Sequence, residues 1–127
     1  HRSFIAQAAI DEIERSLGDP HLSPKVLAGR IGVSTRSLHQ MFADRGTTFG
    51  NWVLKRRLDH CLRDLTDDSW RHKTIGEISS SHGLSDPSYF ARVFKAHYGV
   101  TPRDVRRSAP ATPAEPLPAG STQTPGR

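Results

Sequence analysis

Residues 31–48, IGVSTRSLHQMFADRGTT, and residues 82–102, HGLSDPSYFARVFKAHYGVTP, present the same parts in the same order. Each has a small residue, an apolar one and a Ser, then a short helix-like run closing on an aromatic, then Gly and Thr. Leu27, Ala28, Ile31, Gly32, Val33 and Ser34 align with Ile78, Ser79, His82, Gly83, Leu84 and Ser85 at an offset of 51, which becomes 52 by Phe42 and Phe94. One extra residue in the second turn, Asp86 or Pro87, is expected to account for the change. The chain therefore contains one supersecondary unit twice, and the fold follows from what that unit is.

Within the first copy, Ser23 is placed to cap a helix with Pro24 at its first position, and Gly32 to end it. Ser34 then caps a second short helix whose apolar residues, Leu38, Met41 and Phe42, face inward. In the second copy Thr74 opens a helix carrying Ile75 and Ile78. After Gly83, Ser85 and Asp86 offer a cap with Pro87 behind it, and the next helix buries Tyr89 or Phe90, Val93 and Phe94. Helix, tight turn, helix is the layout in which the first helix braces a second that enters the DNA major groove.

The flanking sequence is helical as well. About Ser3 to Leu17 carries Ile5, Ala9, Ile13 and Leu17 on one stripe and stops at Gly18. Thr48 to about Leu65 reads as one long connector, with Phe49, Trp52, Val53, Leu58, Cys61, Leu62 and Leu65 inward and Lys55, Arg56 and Arg63 mainly outward. A last short helix starts at Thr101 and Pro102 and ends near Arg107. The expectation is an all-α protein of seven helices, with helix-turn-helix units at about 24–45 and 75–98 and a connector at about 48–65. No alternating run is long enough to suggest a strand. The Pro- and Ala-rich residues 109–127 hold too little apolar material to fold and read as a disordered tail outside a domain of residues 3–108.

Composition narrows the function. The 127 residues carry a formal net charge of +5, unevenly spread. Residues 1–22 hold two basic and four acidic side chains, and residues 23–108 hold fifteen basic and eight acidic, a net of +7 over the repeated units. A basic field of this kind suits a polyanionic partner. The single cysteine, Cys61, cannot form an internal disulfide, and the sequence has no apolar run long enough to span a bilayer. Both observations favour the cytoplasm. The only methionine is Met41, so the chain as given is expected to be a piece of a longer protein.

The outward faces of the second helices carry the chemistry. In the first unit Arg36, His39, Gln40 and Ala43 share one side at spacings of i, i+3, i+4 and i+7. Arg and Gln there can read guanine and adenine edges through paired hydrogen bonds. The corresponding residues of the second unit are Pro87 or Ser88, then Ala91, Arg92 and Lys95, with Arg92 the natural base reader. The competing possibilities are a helical protein-interaction module, for which such faces are merely solvated, or a small enzyme. His60 beside Cys61 invites a nucleophile, yet Cys61 falls on the apolar stripe, where a small core residue is expected. The other histidines lack metal-ligand spacing, so neither metal nor cofactor is expected.

These residues also carry a family resemblance. The segment TIGEISSSHGLSDPSYFARVFKAHYGVTPRDVR, residues 74–106, resembles the signature of the DNA-binding domain of AraC/XylS-type bacterial transcription regulators. That signature has an Ile-Ala start, a Gly-Phe turn, a Tyr-Phe-x-x-x-Phe-Lys helix, Gly-x-x-Pro and a closing Tyr-Arg. KRRLDHC, residues 55–61, resembles the family's Arg-Leu-x-x-Ala, and the likeness extends from about Ile5 to Arg107. Ser79, Leu84, Cys61 and Val105 depart from the pattern at packing positions.

The resemblance implies a homeodomain-like pair of helix-turn-helix subdomains that binds specific double-stranded DNA to control transcription. It maps base contacts to Arg36, His39 and Gln40 and to Pro87, Ser88 and Arg92. It also implies RNA polymerase as a partner and an upstream effector or dimerisation domain outside this chain. Phosphate contacts are expected at helix starts, from Ser34, Thr35, Thr47, Thr48, Ser85 and Thr101, and from the exposed cations Arg45, Arg56, Lys95 and Arg103. A connector of roughly 27 Å, at 1.5 Å per residue, would bring two adjacent major-groove segments within reach.

Overall fold

The computed structural model describes residues 2–108. Seven α-helices follow one another: α1 (Arg2–Ser16), α2 (Pro24–Ile31), α3 (Thr35–Asp44), α4 (Phe49–Leu65), α5 (Ile75–Ser81), α6 (Pro87–Tyr98) and α7 (Pro102–Ser108). A single 3-10 turn at Asp68–Trp70 occupies the polar break after α4, and no strand occurs among the described residues. The tail expected at residues 109–127 lies outside them.

The local signals act where the sequence puts them. Ser23 Oγ accepts from the Val26 amide at 3.2 Å, with Pro24 behind it, and Gly32 ends α2 in the left-handed region at φ +77°. Thr74 and Glu77 form a reciprocal capping box at the start of α5. The turn after α2 closes with the Val33 amide donating to Ala28 O at 3.0 Å, and the turn after α5 with the Leu84 amide donating to Ser79 O at 2.9 Å. The repeat is therefore a repeat of backbone hydrogen bonding. It also locates the extra residue. Val33 and Leu84 match at 51, whereas the caps Ser34 and Asp86 match at 52, so the added residue is Ser85 and not Asp86 or Pro87. Asp86 alone caps α6, its carboxylate accepting from the Ser88 and Tyr89 amides.

Two apolar cores result. The first gathers Ala6, Ala9, Ile13, Leu17, Leu27, Ala28, Leu38, Met41 and Phe42 with Phe49 and Val53 of α4. The second gathers Leu58, Cys61 and Leu65 of α4 with Ile78, Leu84, Phe90 and Phe94. The inward residues of α1 are Ala6, Ala9 and Ile13, with Ile5 only half-buried at the margin of the expected stripe. Nor does α4 carry one continuous stripe. Between Val53 and Leu58 the inward spacing lengthens to five residues, which at 100° per residue rotates the buried face by about 140°. The connector offers one side to the first unit and nearly the opposite side to the second. Trp52 and Leu62 consequently lie half-buried at the edges of these faces.

Polar contacts fasten the helices around each core. Arg30 of α2 reaches Glu12 and Ser16 of α1. Tyr98, at the end of α6, donates to Asp59 of α4 at 2.6 Å, and Arg106 of α7 donates to Trp70 O at 2.7 Å.

Candidate nucleic-acid interface

Burying Leu38, Met41 and Phe42 leaves the opposite side of α3 exposed, and on it stand Arg36, His39, Gln40 and Ala43. Gln40 donates to Asp44 at 2.9 Å, one turn along the helix. In α6, burial of Phe90 and Phe94 leaves Pro87, Ser88, Ala91, Arg92 and Lys95 exposed. The sequence left Tyr89 or Phe90 open as the core residue; Phe90 is buried and Tyr89 is 37% exposed. Tyr89 is instead part of the outer face, with the Arg92 guanidinium 5.3 Å from its ring centroid, within cation–π reach. Its core-like aromatic character hid this role, but the Tyr-x-x-Arg spacing, which puts the two on neighbouring helical positions, could have revealed it.

With Ser85 as the inserted residue, the two faces superimpose position by position. Arg36 corresponds to Ser88, Ser37 to Tyr89, His39 to Ala91, and Gln40 to Arg92. The arginine stands in the first turn of α3 but one turn further along α6. Each helix thus has its arginine at a different place along its axis.

The expected phosphate ligands are distributed unevenly. Ser34 caps α3, Thr48 caps α4, and Thr101 accepts from the Asp104 amide at the start of α7. Thr35 and Ser85 are exposed beside helix starts, and Thr47 is half-buried just before α4. Arg45, Lys95 and Arg103 are exposed, with no ion pair among the described residues. Arg56 differs from the expectation of an exposed cation. It is half-buried, its guanidinium bound to Glu14 of α1 at 2.8 and 3.2 Å and to Asp59 at 3.2 Å. The rotation of the α4 buried face turns it toward α1, where a carboxylate takes its charge.

That contact belongs to a polar cluster where α1, α4 and the end of α5 meet. His60 lies 2.9 Å from the same Glu14, and His82 lies 2.6 Å from Asp64, which is 2% exposed. Arg56 holds the Glu14 carboxyl below the usual glutamate range, against the opposing effect of burial and with help from His60. The sequence did not single out Asp64. Its signal was His82, a polar residue standing where the first repeat has Ile31. Cys61 is fully buried nearby, and burial, reinforced by Asp64, pushes its thiol up to about 12. The thiolate needed for nucleophilic chemistry is therefore suppressed at neutral pH. Among the described residues no His, Cys, Asp and Glu group could hold a metal ion, and no helix is long and apolar enough to cross a membrane.

Known proteins share this arrangement. The model of a family described as a helix-turn-helix domain matches residues 27–108. The transcriptional activator RhrA of Rhizobium meliloti (strain 1021) is 34% identical over 99 residues, 78% of this chain and 31% of that protein. The transcriptional activator NphR of a Rhodococcus species is 33% identical over 71% of this chain and 26% of its own length, so the chain spans about a third or less of these relatives. Among solved structures, a Chromobacterium violaceum transcriptional regulator described as AraC-type superposes with a TM-score of 0.72 at 28% identity, over 80% of this chain and 88% of that one. The C-terminal domain of AraT, a response regulator from Geobacillus stearothermophilus, gives a TM-score of 0.76 at 25% identity over 87% and 89%. Two capped helix-turn-helix units on one connector, matched in sequence and in structure, place the chain in the AraC/XylS family of bacterial transcription regulators as a DNA-binding domain.

Proposed function

We propose that residues 3–108 read specific double-stranded DNA through two adjacent major-groove segments, as the DNA-contacting part of a cytoplasmic transcription regulator. The observation that carries this reading is the twofold occurrence of one arrangement, a capped short helix buried on one side and exposing polar and basic side chains on the other. One such helix reaches only a few base pairs. Two on a connector of about 25 Å, from 17 residues at 1.5 Å each, would cover a longer site without a second copy of the chain.

In this reading Arg36, His39 and Gln40 face one groove segment and Pro87, Ser88 and Arg92 the other. Arg92 is suited to guanine, Gln40 to adenine, and Ala91 to the methyl group of thymine. Ser34, Thr35, Thr47, Thr48, Ser85 and Thr101 lie at or beside helix starts, where amides and hydroxyls meet phosphate, and Arg45, Lys95 and Arg103 add charge. Arg56 is left out, because its charge is already met by Glu14. Contact with RNA polymerase and an effector-binding or dimerisation domain would belong to a whole regulator; the matched segments make up only 31% and 26% of the RhrA and NphR chains.

Selection of bound sequences from a random duplex pool tests the reading. Two selected blocks about one helical turn apart are expected, with affinity falling steeply as salt rises, because releasing counterions into a saltier solution gains less. Selection of no motif, together with binding that hardly changes with salt, would contradict it.

A further inference from the structure

The two cores have α4 in common and no buried apolar residue, so whatever fixes one unit against the other beyond that helix is a polar or backbone contact. A backbone junction provides one. Arg57 stands on α4 between Val53, the last residue of the first buried face, and Leu58, the first of the second. Its Nε donates to Leu17 O at 3.0 Å and its guanidinium NH2 to Asp19 O at 2.7 Å, so that it holds the end of α1. The turn of the second unit closes over this contact. A Cβ on Gly83 would lie 2.4 Å from Leu17 O and 2.8 Å from Arg57 Nε, and one on Gly18 would lie 3.0 Å from Ser81 O.

The equivalent turn of the first unit makes the point by contrast. Gly32 has nearly the same backbone as Gly83, φ +77° against +86°, yet a Cβ there would meet nothing within 4 Å. Gly32 serves only the turn. Gly83 serves the turn and also lets the second unit sit directly on the end of α1. Around it the Glu14–Arg56–His60 contacts tie α1 to α4, and Asp64–His82 ties α4 to the end of α5.

We infer that the Arg57–Gly83 junction sets the angle between the two recognition helices, and so fixes the half-site separation that the domain accepts; Arg57 and Gly83 are positioning residues for specificity. This rests on the proposal that both α3 and α6 contact DNA. Inserting one base pair moves a half-site by about 3.4 Å and turns it by about a tenth of a helical turn. A helix flexing between its two buried faces could follow that change. A helix clamped at the same place by two carbonyl hydrogen bonds and a glycine-tight contact does not.

The test uses duplexes carrying both selected half-sites at the preferred separation and with one base pair added or removed. The chain itself should lose about tenfold or more in affinity on either change. Arg57→Ala and Gly83→Ala should bind the preferred duplex and shrink that penalty to about threefold or less. Arg57→Lys, which keeps the charge but only a single donor nitrogen, should restore part of it. Gly32→Ala, equally strained in φ but free of contact, should lower thermal stability and leave the penalty unchanged. Should Gly83→Ala not fold, Arg57→Ala with its Lys rescue decides alone. A penalty retained in Arg57→Ala, or absent from the unaltered chain, would overturn the inference. Failure of the unaltered chain to bind any selected duplex would instead overturn the proposed function.

Discussion

The two helix-turn-helix units share a backbone and differ in what they attach to it. In the first, the brace helix ends on Ile31 and the turn glycine meets open space; Gln40 on the outer face is tied to Asp44. In the second, the brace is capped by His82, held by a buried Asp64, the turn glycine presses on the residue that follows α1, and Arg92 lies over Tyr89. The bond that closes the turn, from Val33 to Ala28 and from Leu84 to Ser79, is alike in both because it defines the unit. Most of the other differences lie where a unit meets α4, the end of α1 or solvent on the recognition face. Duplication supplies a shape, and departures from it mark the places where each copy has a separate task.

The comparison can be broken most forcefully through the cores. Phe42 and Phe94 are each fully buried, one in each cluster. Replacement of either by Ala should cost about 3–5 kcal/mol. Because the clusters are separate, Phe42→Ala should strip amide-exchange protection from α1–α3 first and leave α5–α7 near their original values, with the reverse for Phe94→Ala. Equal loss in both units would mean that they unfold as one body and that the division into two cores has no energetic meaning.

The next effect concerns Asp64 and His82. Asp64→Ala removes one partner of a buried pair and should cost about 3 kcal/mol in chemical denaturation. Giving the second unit the apolar solution of the first, by Asp64→Leu with His82→Ile, should recover most of that loss. If the double change is no better than the single one, the pair does more than fill a position that Ile31 fills elsewhere.

A smaller effect is set by pH. Glu14 titrates lower in the folded chain than its ordinary value of 4.5, chiefly through the hydrogen bonds from Arg56. A carboxyl with a depressed folded pKa stabilises the fold above its unfolded pKa and loses that contribution as pH falls through the folded value. The advantage of the unaltered chain over Glu14→Gln should therefore be full near pH 6 and vanish toward pH 3. With both partners about a third exposed, it should amount to about 1 kcal/mol at most. An advantage that grew as pH fell would contradict the assignment. Smallest is Tyr89. If Arg92 reads a base, Tyr89→Leu should weaken preference there by about 0.5–1 kcal/mol, while Tyr89→Phe keeps the ring and the preference. Identical selected motifs for Leu and Phe would show that the ring does not position the guanidinium.

Much of this was legible in the chain because its strongest signals are local. Caps at Ser23, Ser34 and Thr74, the turn at Gly32 and the helical spacing of Leu38, Met41 and Phe42 act within a few residues, so they survive in one dimension. The outward faces followed by subtraction once the buried residues were placed. What the sequence concealed depends on distant partners. The pairing of Arg56 with Glu14 joins residues 42 apart, and that of Asp64 with His82 residues 18 apart. The inward residues of α4 read as a single stripe in the sequence, and only packing against two cores on opposite sides gives the five-residue step from Val53 to Leu58 its meaning. Tyr89 and Phe90 could not be ranked by type, since both are large aromatics, until the orientation of α6 was known.

The central claim is that both units read bases, and selection from a randomised duplex pool with Arg36→Ala and Arg92→Ala tests it most directly. If each arginine pairs with a guanine, each change should cost about 1–3 kcal/mol and relax preference at one position only. The two relaxed positions should lie about one helical turn, roughly 10 base pairs, apart. Relaxation of the same positions by both variants, or an equal loss of affinity on every duplex with the motif intact, would contradict the claim.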